Sequence, residues 1–160
     1  MSDQISKHSL VSRRQFLSVS GATIAALSAA GLLPGLAFAS VEEAETRIKE
    51  LVGEKKIQEG KVSIKLPKIA ENGNTVPVTV TVDSPMTEEN HVTAIHMLAE
   101  KNPAPDIASF QLSSASGKAE ISTRVRLAKT QNVVAIAQMN DGSVYIGKQA
   151  VKVTIGGCGG

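Results

Sequence analysis

Beyond Gly60 the apolar residues of this chain recur at every second position, a period that places them all on one side of an extended strand. Val62, Ile64 and Leu66 alternate with Ser63 and Lys65. Val76, Val78, Val80 and Val82 alternate with Pro77, Thr79 and Thr81, and Ile121, Thr123, Val125 and Leu127 with Ser122, Arg124 and Arg126. Each run reads as a strand with one buried and one wet face. Val92–Ala99 and residues 133–139 are apolar on both faces and read as central strands. Residues 144–146 and 150–155 bring the set to about seven. Turn-forming residues separate these runs: Glu71-Asn72-Gly73-Asn74, Asp83-Ser84-Pro85, Asn102-Pro103-Ala104-Pro105, Ser116-Gly117 and Asp141-Gly142, the last read as a hairpin. Pro77 has no N–H to give a ladder, which predicts an edge position for its strand.

Strands of this number and spacing predict an all-β, immunoglobulin-like sandwich, with a barrel as the second choice. One cysteine in the whole chain excludes the disulfide of antibody domains. Ahead of the strands, Val41, Ala44, Ile48, Leu51 and Val52 fall at helical spacing, with Ser40 and Glu43 at capping-box positions. They predict a short N-terminal helix over Val41–Val52, ragged as far as Gln58.

The chain has 160 residues, enough for one domain. Its formal charge of +2 comes from the first segment: residues 1–39 hold Lys7, Arg13 and Arg14 against Asp3 alone, and the remainder balances at 14 basic and 14 acidic residues. A neutral chain with 2% aromatics lacks both the phosphate-neutralising surface and the stacking groups of a nucleic-acid binder.

That first segment reads as a cleaved export signal. Ser12-Arg13-Arg14-Gln15-Phe16-Leu17 is a twin-arginine pattern, residues 19–33 are uncharged and rich in Ala, Leu and Gly, and Ala37-Phe38-Ala39 offers a signal-peptidase site. Pro34 and Gly35 break the apolar run and argue against a membrane anchor. Cleavage between Ala39 and Ser40 predicts a periplasmic protein, free of the membrane after cleavage, that folds or gains a partner before crossing. The expected organisation is a signal at 1–39, a sandwich with its helix at 40–155, and an arm at 156–160.

The chain ends Gly156-Gly157-Cys158-Gly159-Gly160. Glycine has the widest backbone freedom and nothing to pack, so this arm is expected to dock nowhere on its own sandwich. No neighbour could bury Cys158 as a small hydrophobe. In an oxidising compartment an exposed, unpaired thiol implies a use: an intermolecular disulfide or a covalent cargo. Glycines supply neither base nor positive charge to hold a thiolate, so activation would come from elsewhere and the chain reads as a carrier, not an enzyme. His96, between Ile95 and Met97, reads as structural, and His91, beside Glu89 and Asn90, as a solvated or capping residue. With one Cys they make no convincing metal site, and no cofactor is expected.

The terminal Gly-Gly-Cys-Gly-Gly after a Val/Ile strand resembles the SoxY family of periplasmic thiosulfate oxidation. So do Glu71-Asn72-Gly73-Asn74-Thr75-Val76-Pro77, Val82-Asp83-Ser84-Pro85-Met86, Ala99-Glu100-Lys101-Asn102-Pro103 and Ser122-Thr123-Arg124-Val125-Arg126-Leu127. The resemblance implies an immunoglobulin-like sandwich exported with a partner, SoxZ, as a heterodimer or heterotetramer. SoxZ would cover an apolar sheet face or edge. It also implies that SoxAX joins thiosulfate to Cys158, that SoxB releases sulfate, and that a sulfur dehydrogenase, where present, oxidises the remaining sulfur. The glycines at 156, 157, 159 and 160 would then form a swinging arm. Two other readings stay open. One is a secreted structural domain dimerising through Cys158. The other is a ubiquitin-like sulfur donor using the carboxylate of Gly159-Gly160, although an exported chain has no ATP for such activation.

Overall fold

A computed structural model describes residues 41–157; the twin-arginine pattern, the cleavage site at Ala39 and Ser40, and Cys158, Gly159 and Gly160 lie outside the described residues. Helix α1 spans Val41–Val52. Nine strands follow: β1 Ile57–Glu59, β2 Val62–Lys65, β3 Ile69–Asn72, β4 Val76–Val82, β5 Val92–Ala99, β6 Asp106–Gln111, β7 Glu120–Val125, β8 Gln131–Met139 and β9 Val144–Ile155. The larger sheet runs β1-β9-β8-β5-β6, with β3 on the far part of β9, and the smaller runs β2-β4-β7. The expected sandwich is observed, with more strands than the alternation reveals.

The main core lies between the sheets. Val76, Val78, Val80 and Val82 of β4 face Ile95 and Met97 of β5 and Val133, Ala135, Ala137 and Met139 of β8. The other face of the large sheet is covered by α1. Val52, with half-buried Ile48 and Leu51, packs on Leu98, Val134, Ile136 and Val144. This double cover is why β5 and β8 are apolar on both faces. Fully burying one such side chain contributes roughly 1.5–3 kcal/mol. Glu42 and Glu43 complement the positive end of α1, and Lys49 its negative end. The helix stops at Gly53, which takes φ 64° and donates to the Lys49 carbonyl at 2.7 Å.

Several expectations are corrected. The helix does not fray to Gln58: Ile57–Glu59 are extended and pair in parallel with Val144–Ile146 of β9. Of the turn read over 71–74, residues 73–74 form it while 71–72 still belong to strand β3, which runs parallel to the last part of β9 (Ile69↔Lys152, Asn72↔Ile155). Strand β6 escapes the alternation because of a bulge. Met97 opposes Ala108 while Leu98 opposes Asp106, so Ile107 is the extra residue, and Ile107 and Phe110 both reach the core from positions out of step. The segments at 144–146 and 150–155 are one strand of 12 residues. Pro77 lies in a central strand, because β4 pairs with both β2 and β7. Its missing N–H is tolerated because the β2 ladder has already ended at Lys65↔Thr79. The outer face of the large sheet is not bare for a partner. Among the described residues, what the sandwich leaves unpaired is the edges: β6 at one side of the large sheet, β1 and β3 along β9 at the other, and β2 and β7 on the small sheet.

β9 also joins the two sheets at one close crossing. At Gly147 an added Cβ would lie 2.7 Å from the Val62 carbonyl oxygen of β2 and 2.9 Å from a Val62 methyl. Only a residue without a side chain lets the two strands approach this far.

Candidate functional site

The last described residues bring the terminal motif to the sandwich surface. Ile155 is the most exposed of the large hydrophobics described, at 68%. After it the main chain turns back onto the body. Three segments close a ring of backbone hydrogen bonds: Gly73 N–H donates to Ile155 O at 2.8 Å, Leu127 N–H to Gly73 O at 2.8 Å, and Gly157 N–H to Leu127 O at 3.0 Å. Gly157 and Gly73 are both buried.

The ring closes because three glycines at it, Gly73, Gly156 and Gly157, lack side chains. A Cβ on Gly73 would collide with Leu127 O and meet Gly157 N at 2.5 Å, one on Gly156 would collide with Ala128 O, and one on Gly157 would stand 2.7 Å from Gly73 O. None of these three glycines has a left-handed φ, so what each contributes is close approach, not freedom. The expectation that the tail docks nowhere is therefore corrected for Gly156 and Gly157, which belong to the sandwich. Gly159 and Gly160, the other members of the expected arm, lie outside the described residues with Cys158.

A layer of carboxamides holds the ring from behind. Asn102 donates from Nδ2 to Arg126 O at 2.8 Å, and its Oδ1 accepts from Ala128 N–H at 3.0 Å and from Gln131 Nε2 at 2.9 Å. Leu127, whose carbonyl receives Gly157, is thus pinned on both flanks by one side chain. Gln131 is 4% exposed, and its Oε1 accepts from Lys101 N–H at 2.7 Å. Glu100, 5% exposed, accepts from Asn132 Nδ2 at 2.7 Å and pairs with Lys148 at 2.6 Å, so its buried charge is matched. On the Gly73 side, Asn74 N–H donates to Asn72 Oδ1 at 2.9 Å in an Asx turn, and Thr154 Oγ1 donates to Glu71 O at 3.0 Å. The ring and Asn102 are main chain and carboxamide, groups that do not titrate near neutrality.

The two histidines have other places. His91 Nδ1 lies 3.0 Å from Thr87 O, and its N–H donates to Asn140 Oδ1, which fits the capping role read for it. His96 Nδ1 lies 2.8 Å from Ser109 Oγ, and burial, reinforced by Arg47 of α1, holds its pKa below the ordinary histidine value. Among the described residues, neither hydrogen-bonds Gly156 or Gly157. The residues that sequence reasoning missed as structural determinants are Gly73, Asn102, Leu127 and Gln131. Three of them stand in the resemblance motifs, where no local pattern discloses what they touch.

Residues 48–158 match the family model described as sulfur oxidation protein SoxY. The solved structure of the sulfur carrier protein SoxY from Chlorobium limicola f thiosulfatophilum is 38% identical, covers 72% of this chain and all of that one, and superposes with a TM-score of 0.61. The sandwich and the glycine ring at its C-terminal exit belong to a sulfur oxidation protein with an immunoglobulin-like body. The chain is a member of the SoxY family. No curated protein matches it. Superoxide reductase (neelaredoxin) from Ignicoccus hospitalis shares the fold alone, at 15% identity over 72% of this chain and 94% of that one, with a TM-score of 0.53. The same holds for superoxide reductase from Nanoarchaeum equitans, at 12% identity over 61% and 99% of the two chains and a TM-score of 0.51.

Proposed function

We propose that this chain is a covalent carrier whose Cys158 thiol holds sulfur intermediates while partner enzymes act on them. The observation that carries the reading is membership of the SoxY family over a span that runs to residue 158. In the first step a thiolate and thiosulfate lose two electrons to a haem enzyme of the SoxAX type and form an S–S bond, giving Cys158–S–S–SO3−. Water then cleaves the terminal sulfonate as hydrogen sulfate, catalysed by a hydrolase of the SoxB type, and leaves Cys158–S–SH. That persulfide is a reversible cap. A sulfur dehydrogenase, where present, oxidises it further. The chain supplies attachment and presentation; the chemistry belongs to its partners.

The same reading assigns SoxZ as a stable partner, export by the twin-arginine route through Arg13 and Arg14, and a periplasmic location after cleavage at Ala39. No resident cofactor is required.

Two measurements test the carrier. Mass spectrometry of the protein taken from its native compartment should find a thiosulfonate or persulfide on Cys158. A modified Gly160 carboxylate would favour a ubiquitin-like donor instead, and a disulfide dimer alone a structural domain. In a reconstituted system Cys158→Ser should abolish thiosulfate-dependent turnover while the unfolding temperature is unchanged. Normal turnover by the serine variant would refute the proposal.

A further inference from the structure

Three of the motifs that carry the family resemblance are far apart in sequence, yet they meet at one place. Glu71-Asn72-Gly73-Asn74 supplies Gly73, Ala99-Glu100-Lys101-Asn102-Pro103 supplies Asn102, and the run ending Arg126-Leu127 supplies the carbonyl that receives Gly157. All three converge on the root of the tail. We propose that Gly73, Asn102 and Leu127 are positioning residues for the carrier chemistry: they fix the root of the arm at Gly157, so that Cys158 leaves the body at one defined point. The inference rests on the reading of Cys158 as the sulfur-bearing residue.

A single backbone hydrogen bond beyond the end of a strand contributes little net stability and would fray by itself. Here three features oppose fraying. Gly157 is buried, so releasing it means opening a packed contact. Gly73 and Gly156 have no side chains, which lets three strands of main chain lie against one another. Asn102 holds the acceptor's neighbours, Arg126 and Ala128, so the Leu127 carbonyl does not wander.

The consequence for the reaction is geometric. With Gly157 fixed, the Cα of Cys158 stays within about 3.8 Å of a fixed atom, whereas an arm free from Gly156 onward would let it range about 11 Å from Ile155. The dock trades reach for placement. Orientation of a reacting group before encounter is a large part of what a bimolecular step otherwise lacks. It also means that an enzyme acting on Cys158 meets the surface formed by residues 72–74 and 126–128.

The test uses the isotopically labelled mature chain and the variants Asn102→Ala, Gly73→Ala and Asn102→Asp. The last keeps an oxygen for Ala128 N–H and Gln131 but loses the donor to Arg126 O. Three rates are compared: amide exchange at Gly157, alkylation of Cys158 by iodoacetamide, and loading of thiosulfate by the conjugating haem enzyme. In the wild type the Gly157 amide should exchange at least about tenfold slower than an unprotected glycine. Both alanine variants should release it while Ala135 and Ile136 in β8 stay protected. Loading should fall about tenfold with alkylation unchanged, the separation expected of a positioning role, and Asn102→Asp should recover part of it. An unprotected Gly157 in the wild type would overturn the dock. Release of Gly157 with undiminished loading would overturn its positioning role, as would losses that follow exposure of the β8 amides. Absence of loading in a wild type whose Gly157 is protected would sink the carrier reading, and the positioning role with it.

Discussion

Glycine serves this molecule in two ways, and the contrast between them separates its turns from its site. At Gly142, in the hairpin between β8 and β9, φ is 84° and a Cβ would meet nothing within 4 Å. There the backbone conformation demands glycine and the space does not. At Gly73, Gly147 and Gly157 the reverse holds: φ is unexceptional, and a Cβ would strike another main chain. The first kind is visible in a short stretch of sequence because a turn is local. The second kind marks where distant segments touch, and in this protein one such place is the root of the cysteine arm.

Substitutions can break or sharpen this division. The largest loss is expected for Gly147→Ala, which would push β2 off β9 and cost about 3 kcal/mol, read as a drop in the denaturant midpoint. Next comes Gly157→Ala, whose Cβ would face Gly73 O. It should cost less than about 1 kcal/mol globally, because Gly157 lies beyond the end of β9, yet it should abolish exchange protection at its own amide. Gly142→Ala should cost a comparable ~1 kcal/mol by forcing a Cβ into a left-handed turn. Here the sharper test is Gly142→Asn, which tolerates that φ and should recover most of the loss. Asparagine at Gly147 should do worse than alanine. If asparagine rescues both sites or neither, the division is wrong.

The smallest effect lies outside both sets. His96 has a folded-state pKa below its unfolded value of about 6.5, so the unfolded chain binds more protons in the window beneath that value. Its contribution is fully present above pH ~6.5 and is lost as pH falls through that value toward the folded pKa. His96→Gln should flatten the decline in stability between pH 7 and 5.5. An unchanged decline would assign it to other groups.

How far the sequence discloses this structure depends on whether a residue's reason is local. The valines of β4 alternate because one face is buried, and that alternation is written in the chain. Residues 92–99 and 133–139 are apolar on both faces because α1 covers what the second sheet does not. Ile57–Glu59 carry no such mark. All three residues are exposed, and β1 is a strand only because β9 offers a backbone edge. Residues 69–72 bury only Ala70, and the Asn72-Gly73 pair announces the turn that follows, not the strand before it. The reading of Cys158 as the candidate site is a local one, because a lone thiol among glycines stands out in the sequence itself. Its dock is not legible. Gly73 and Gly157 become close neighbours only when the 83 residues between them fold and bring Leu127 against both, roughly as the loops of a sandwich do for any site built on them.

Strand β9 has one more consequence, in the order of events as the chain acquires its fold. Among the described strands it is the last in chain order, yet β1 and β3, among the first, have no place until it arrives: Ile57 waits for Val144, and Ile69 for Lys152. Contacts across such sequence separations form late, because a long loop must close before they repay its entropy. The ring at Gly157 needs the same final strand and closes no earlier. A nascent chain therefore remains without the dock for Gly157 until the strands that form it are assembled, so the ring at Gly157 reports that the two sheets have closed on each other.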